Sequence, residues 1–288
     1  MKSLFRRSPP SHQVGLLLAS DRILLACVEP VPIFTSRAIN GPHDWPKAMG
    51  ELFAQHGLAK SKVRVALAAS LYQQIQIDKP AVPAAEMAGA LPWAIKDFVN
   101  APGLQLAMDY VDLPTPPAGR PRINVICVPK SRVQQLADAV NGVATLEAIV
   151  SDELAMTALY EADQTVRMLL WQPKGQELQL LVFYRGGLCF SRPLRGFVSL
   201  TGAHEPDQGM LDGLTLEIQR SLDYLAGQLK LPEPGQMQLA IGSPFIGTLV
   251  RHLEQAFGFP VSAMANKAVL AGVEYLSAYG AALGRSEG

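Results

Sequence analysis

The strongest candidate for chemistry in this chain is a pair of oppositely charged residues on one predicted helix. Glu217 and Arg220 are three residues apart, so their side chains are neighbours on a helix. An apolar stripe runs along the same stretch, formed by Ile218, Leu222, Leu225 and Leu229. The residues alone fit both an ordinary helix docked by its leucines and a helix that presents this pair to a polar ligand.

Other reactive residue types lack the spacing that catalysis or metal binding needs. Asp152 and Glu153 are adjacent and point in different directions on a helix, so we interpret them as a solvated face. The sequence has no GxSxG motif, and its five histidines show no metal-ligand spacing. The three cysteines stand singly in apolar runs, which is typical of reduced, buried thiols in a cytosolic protein.

Hydrophobic periodicity and turn residues predict strands mixed with helices, and therefore an α/β fold. The predicted strands cover 14–18, 23–28, 63–67, 73–77, 106–113, 122–128, 166–171, 178–184, 188–194, 237–241 and 259–261. The predicted helices cover 45–56, 86–99, 131–140, 146–162, 211–229, 249–257 and 267–283. Pro92 is expected to kink the second helix or to mark its true start.

Length and composition indicate a globular protein of two lobes. A chain of 288 residues is long for one compact core, and 49% of its residues are apolar while 17% are charged. The 25 basic residues balance the 25 acidic ones, so we expect no nucleic-acid partner. No segment approaches the length of apolar residues that a membrane span needs, and residues 1–12 are expected to form a flexible basic N-terminus.

The stretch 216–229 resembles the equivalent helix of the PilM family, the actin-like proteins of type IV pilus assembly. Phe190, Ser191 and Arg192 are similar to a strand of that family, and Asp109 and Tyr110 are similar to another. The resemblance covers about residues 13–284. Within the family, it points to the branch that serves mannose-sensitive haemagglutinin (MSHA) pili.

The resemblance implies an actin-like (ribonuclease H-like) fold with two lobes. The first lobe would cover 13–165 and include an inserted subdomain, of the type called 1C, at about 73–145. The second lobe would cover 166–266, and the C-terminal helix at 267–284 would return to the first lobe.

The resemblance also implies a nucleotide cleft between the lobes, which we assign as degenerate. Leu17 stands where the family has an acid that organises the metal, and Gln172 to Gly175 replace the second acidic turn. The residues left for such a cleft are Ser20, Asp21, Glu217, Arg220, Gly242 and Ser243. We therefore expect no catalytic residue, no metal and no cofactor. Binding of ATP is the one alternative that the residues leave open.

The same resemblance implies a protein partner for this chain. PilM captures the short cytoplasmic N-terminal peptide of PilN, a bitopic membrane protein, in a groove between the first lobe and subdomain 1C. We expect Trp93, Phe98 and Tyr110 to line a comparable groove, although the residues alone fit a core position equally well. The chain would then be cytoplasmic, held at the inner face of the bacterial inner membrane by a PilN-like partner. The resemblance leaves open whether the chain forms a homo-oligomer.

The sequence thus predicts a cytoplasmic scaffold of type IV pilus biogenesis, of the MSHA type, rather than an enzyme. The alternative is an actin-like ATP-binding protein, an ATPase of pilus or type II secretion assembly. Nucleotide binding without hydrolysis also stays open, because Glu217 and Arg220 remain.

Overall fold

The computed structural model describes residues 12–99 and 105–284, and its core is two five-stranded sheets. The strands of the first sheet are β1 (Gln13–Leu18), β2 (Arg22–Cys27), β3 (Ile33–Ala38), β4 (Lys62–Leu67) and β8 (Thr145–Ser151). The strands of the second sheet are β9 (Val166–Gln172), β10 (Leu178–Tyr184), β11 (Gly187–Leu194), β12 (Pro234–Ile241) and β13 (Val261–Ala263).

Both sheets have one topology, a meander of three antiparallel strands followed by two parallel strands. The first has the order β3-β2-β1-β4-β8, with β4 parallel to β1 and to β8. The second has the order β11-β10-β9-β12-β13, with β12 parallel to β9 and to β13. Parallel neighbours need long crossover connections, which helices supply here. The chain therefore builds two similar lobes.

Helices cover both faces of each five-stranded sheet. They are α1 (Trp45–Gln55), α2 (Met87–Ala94), α3 (Lys130–Asn141), α4 (Asp152–Ala155), α5 (Gln208–Gly227), α6 (Ile246–Phe257), α7 (Lys267–Ala271) and α8 (Leu276–Leu283). α1 and α3 pack on the first sheet, and α5 and α6 pack on the second. Successive strand side chains point to opposite faces, so Leu16 and Leu18 meet the helices while Leu17 joins an apolar cluster on the other face.

A smaller sheet is inserted between β4 and β8. Its strands β5 (Gln73–Asp78), β7 (Arg122–Pro129) and β6 (Leu106–Asp112) are antiparallel, in the order β5-β7-β6. α2 covers one face of this sheet, because Met87, Leu91 and Ile95 pack on its buried strand residues. The opposite face looks towards the two lobes and lines the cavities described below.

The predicted helix at 146–162 is wrong in its first half. The segment Thr145–Ser151 forms β8, which pairs with β4 in parallel, and only a short helix and a 3-10 turn follow it. The free edge of β4 offers a ladder of backbone hydrogen bonds to an apolar run that contains Ile149 and Val150. Helix α4 starts at Asp152 because the Ser151 hydroxyl accepts a hydrogen bond from the Leu154 N–H at 3.2 Å.

Helix α2 is shorter than the predicted 86–99. It ends at Ala94 and contains Pro92, whose ring removes a backbone donor from the last turn. Phe98 consequently lies in a turn after the helix. The sequence also predicts that residues 100–103 end this helix, and these residues lie outside the described part of the chain.

The C-terminal helix α8 lies so close to the first lobe that only glycine fits at two contacts. A Cβ added to Gly15 on β1 would lie 1.9 Å from the carbonyl oxygen of Ala278. A Cβ added to Gly280 on α8 would lie 2.3 Å from the carbonyl oxygen of Ala155. Helix α8 therefore touches both the central strand of the first sheet and the segment that leads to the second lobe.

We predict that Gly15→Ala destabilises the protein by about 3 kcal/mol, because the methyl group meets backbone atoms that cannot move aside individually. Gly50→Ala is the matched control: it lies in helix α1 with no atom within 4 Å of the added Cβ. The control is expected to gain up to about 1 kcal/mol, because alanine favours the helix. Urea unfolding measures both, and equal stability of the two variants would contradict the close contact.

Candidate functional site

The first candidate site is a cleft between the two lobes. It comprises two adjoining cavities of about 320 and 350 Å³, bordered by the β1–β2 turn, the β9–β10 turn and the start of α4. Asp21, Asp152 and Lys174 line the first cavity, and Ser20 and Asp21 line the second. The cleft thus brings the exposed Lys174 and Arg22 near five carboxylates, those of Asp21, Asp152, Glu153, Glu177 and Glu274.

Asp152 is buried in this cleft, with 5% of its surface exposed, so its interpretation as a solvated residue is wrong. Its carboxylate accepts hydrogen bonds from the Tyr72 hydroxyl at 2.9 Å and from the Ala69 N–H at 3.2 Å. Burial, reinforced by the neighbouring Glu153 charge, raises the pKa of Asp152 from 3.8 to about 7. The carboxyl group therefore changes its charge near neutral pH.

Glu153 connects the lobes directly. Its carboxylate accepts a hydrogen bond of 2.6 Å from the hydroxyl of Ser191, which lies on β11 of the second lobe. Burial raises the pKa of Glu153, and the hydrogen bond from Ser191 opposes that shift. This residue is also no part of a solvated face, because the segment between the lobes holds it against β11.

The β1–β2 turn places Ser20 and Asp21 at the rim of the cleft, where both are exposed. The Arg22 guanidinium lies 2.7 Å from the Asp21 carboxylate and lowers the pKa of Asp21 through this hydrogen bond. Leu17, the residue at the position of the family's acid, is buried in an apolar cluster with Leu24. Asp21 is therefore paired with a cation on its own turn.

Glu217 and Arg220 do not line the cleft cavities in the described part of the chain. Glu217 forms ion pairs with Arg220 on its own helix and with Arg192 on β11, so it joins α5 to the sheet of its own lobe. Gly242 follows β12, and its N–H donates to the Gln172 carbonyl at 3.2 Å. Next to it, the Ser243 hydroxyl accepts from the Phe245 N–H at 3.2 Å. The structure therefore gathers Ser20 and Asp21 at the cleft cavities and engages Glu217 and Arg220 elsewhere.

The second candidate site is a groove of about 240 Å³ between the small sheet and the first lobe. We call it the apolar groove. Its first wall contains Met108, Tyr110 and Val111 of β6 and Ile126 and Val128 of β7, and its second wall contains Leu67, Tyr72, Val133, Ile149, Val150 and Leu154. Asp109 is the one charged residue among those that line it in the described chain. Such a surface suits an apolar ligand.

The three aromatic residues predicted to bind a partner lie in different places. Tyr110 lines the apolar groove and also packs against the core under α2. Trp93 and Phe98 are 77% and 57% exposed, on α2 and in the turn after it, and they do not belong to the described lining of the groove. Sequence reasoning missed the aliphatic walls. Its available signal was the unbroken apolar run at 125–128, which is typical of a strand with apolar contacts on both faces.

No protein-family model and no curated protein sequence matches the chain. Among solved structures, it is similar to a chain of the PilM–PilN type IV pilus biogenesis complex, with 17% identity, a TM-score of 0.67, and coverage of 96% of this chain and 98% of that one. A Bacteroides thetaiotaomicron protein with an actin-like ATPase fold gives 11% identity, a TM-score of 0.51, and coverage of 91% and 95%. The cytoplasmic domain of EpsL from the type II secretion system of Vibrio cholerae gives 14% identity, a TM-score of 0.49, and coverage of 93% of this chain and 94% of that one.

The first two likenesses establish the fold: the chain has an actin-like α/β fold, and that prediction is confirmed. Across 12–99 and 105–284, no group of three or more histidine, cysteine, aspartate or glutamate side chains is placed to hold a metal ion. Over the same residues, no helix combines the length and the hydrophobicity that crossing a membrane requires.

We predict that the protein loses stability as the pH rises from 5 to 7, because of Asp152. The folded state keeps the proton of this carboxyl group up to about pH 7, whereas the unfolded chain releases it near pH 3.8. The unfolding free energy should therefore fall by about 2 kcal/mol over this range and then level off. Urea unfolding at several pH values measures the slope.

The substitution Asp152→Asn should flatten that slope, since the amide stays neutral at every pH in the range. Asp97→Asn, an exposed residue after α2, is the matched control and should keep the slope of the unchanged protein. An Asp152→Asn protein with an unaltered pH dependence would show that Asp152 does not hold its proton near neutral pH.

Proposed function

We propose that this chain is a scaffold of type IV pilus assembly that binds an apolar peptide segment of a PilN-like inner-membrane protein in the apolar groove. The observation that carries the proposal is the groove itself, an aliphatic channel between the small sheet and the first lobe. Filling it with one or two leucine-sized side chains would contribute about 1.5–3 kcal/mol for each.

The position of β6 supports a peptide as the ligand. β6 is an edge strand in the order β5-β7-β6, and five of its residues line the groove. An edge strand offers backbone N–H and C=O groups, so an extended peptide can bind by main-chain hydrogen bonds while its side chains enter the groove. Aliphatic residues on the opposite wall, such as Ile149 and Leu154, select apolar side chains.

The similarity to a chain of the PilM–PilN type IV pilus biogenesis complex supports the choice of partner. In this proposal, the chain is cytoplasmic and lies at the inner face of the inner membrane because its partner is anchored there. The finer assignment, to the branch that serves MSHA pili, rests on the resemblance of the whole chain, over about residues 13–284. Self-association would be compatible with this role.

We also propose that the cleft between the lobes does not hydrolyse ATP. Leu17 is buried among apolar side chains, and Asp21 is paired with Arg22, so the first turn supplies no free carboxylate for a metal. The competing proposal, an actin-like ATPase, draws its support from the cleft volume and from Asp152, which lines the cleft.

Val111→Asp should weaken binding of the cytoplasmic segment of the PilN-like protein at least tenfold, because a buried charge without a partner opposes docking. Val31→Asp makes the same change on a turn where the side chain is 67% exposed, and it should leave binding unchanged. Fluorescence anisotropy with the labelled synthetic segment measures both.

Trp93→Ala tests the outer aromatic surface in the same assay. Since Trp93 is exposed outside the groove, its variant should bind the segment as the unchanged protein does. If Trp93→Ala weakened binding and Val111→Asp did not, the docking surface would lie on α2 and the proposal would fail.

Incubation with ATP and magnesium should release phosphate no faster than a blank without protein. Asp152→Asn should give the same background rate, since the proposal assigns this residue no catalytic role. Steady phosphate release that disappears in Asp152→Asn would instead establish the ATPase.

A further inference from the structure

A third cavity, of about 280 Å³, lies between the small sheet and the second lobe. We call it the amide cavity. Gln74, Gln76 and Asn124 line it from β5 and β7, and Phe190 and Tyr224 line it from β11 and α5. Neither the scaffold role nor the cleft accounts for this cavity.

The small sheet presents a row of carboxamides to the amide cavity. Gln76 donates to the Asn124 side chain at 3.3 Å and accepts from Arg122 at 3.1 Å. Gln74, one step along the same face of β5, is exposed, and its side chain makes no hydrogen bond within the described residues. The row thus keeps donors and acceptors that a ligand can use.

The spacing of the carboxamides fits a peptide backbone. A carboxamide carries one acceptor oxygen and an N–H donor, the same pair as a peptide group. Gln74 and Gln76 are two residues apart on a strand, which is a distance of about 6.6–6.8 Å. An extended peptide repeats its outward-facing backbone groups at this distance, so two glutamines can each pair with a successive peptide group of one ligand.

The rest of the lining selects an uncharged ligand. The side chains that line the cavity carry no formal charge in the described chain, and the neighbouring Arg122 is already paired with Asp78. A charged segment would therefore lose its hydration without gaining a partner. The ring centroids of Phe190 and Tyr224 lie 5.3 Å apart with their planes tilted by 36°, and the two rings form an apolar wall in which Tyr224 is 36% exposed. This wall suits a side chain of the peptide that the carboxamides hold.

The amide cavity continues the apolar groove across the same face of the small sheet. Ile126, which lines the groove, is the cross-strand partner of Gln74, which lines the cavity. Because β5 and β6 lie at opposite edges of this sheet, one chain that leaves β6 and crosses β7 can reach both. We infer that the amide cavity binds an uncharged polar stretch that adjoins the apolar stretch of the docked peptide, so that both lobes hold one partner; this inference rests on the proposed function.

Two labelled synthetic peptides test the inference by fluorescence anisotropy. The long peptide is the whole cytoplasmic segment of the PilN-like protein, and the short peptide is only its apolar stretch. The double variant Gln74→Ala and Gln76→Ala should bind the long peptide about tenfold more weakly and the short peptide as before. Gln73→Ala, on the opposite face of β5, is the matched control and should change neither affinity.

Other outcomes separate this inference from the proposed function. If the double variant left the long peptide unaffected, or weakened both peptides equally, the amide cavity would have no role of its own and the inference would fall. If Val111→Asp also left both affinities unchanged, the proposed function would fall with it. A dimer in sedimentation that Tyr224→Ala dissociates would assign the cavity to a second copy of the chain and overturn the inference.

Discussion

The close contact of α8 with β1 is the constraint on which the rest of the structure depends. Backbone atoms of Ala278 occupy the space that a side chain at Gly15 would need. Backbone atoms of Ala155 likewise occupy the space that a side chain at Gly280 would need. Since Ala155 ends the helix that follows β8, one glycine–alanine interface fixes the first sheet, the C-terminal helix and the connection between the lobes.

The end of β8 separates the two candidate sites. Val150 and Ser151 line the apolar groove, while the next residue, Asp152, lines the cleft and binds Tyr72, whose ring faces the groove. A change of charge or position at Asp152 in the cleft therefore acts on Tyr72, which lines the groove. The proposed docking role makes use of this arrangement, because a peptide in the groove contacts the segment that holds the lobes together.

The architecture could be predicted from the sequence, but the candidate sites could be predicted only in part. Apolar periodicity and turn residues sufficed for an α/β fold. The two actin-like lobes and the inserted subdomain were implied by the family resemblance instead. The strand at 145–151 was not predicted, because a short apolar run fits the periodicity of a helix and that of a strand equally well. Its partner strand, β4, also lies far away in the sequence. Burial of Asp152 depends on Tyr72, 80 residues away, which local spacing cannot show. The spacing on α5 predicts that Glu217 neighbours Arg220. It cannot predict the second partner of Glu217, Arg192, because that residue lies on β11.

Hydrogen–deuterium exchange with and without the cytoplasmic segment of the PilN-like protein tests the central claim most directly. If the apolar groove is the docking site, the amides of the edge strand Leu106–Asp112 exchange more slowly in the complex, because the peptide covers that edge. Protection confined to the cleft turn at 19–22, or to helix α2 around Trp93, with β6 unchanged, would contradict the account.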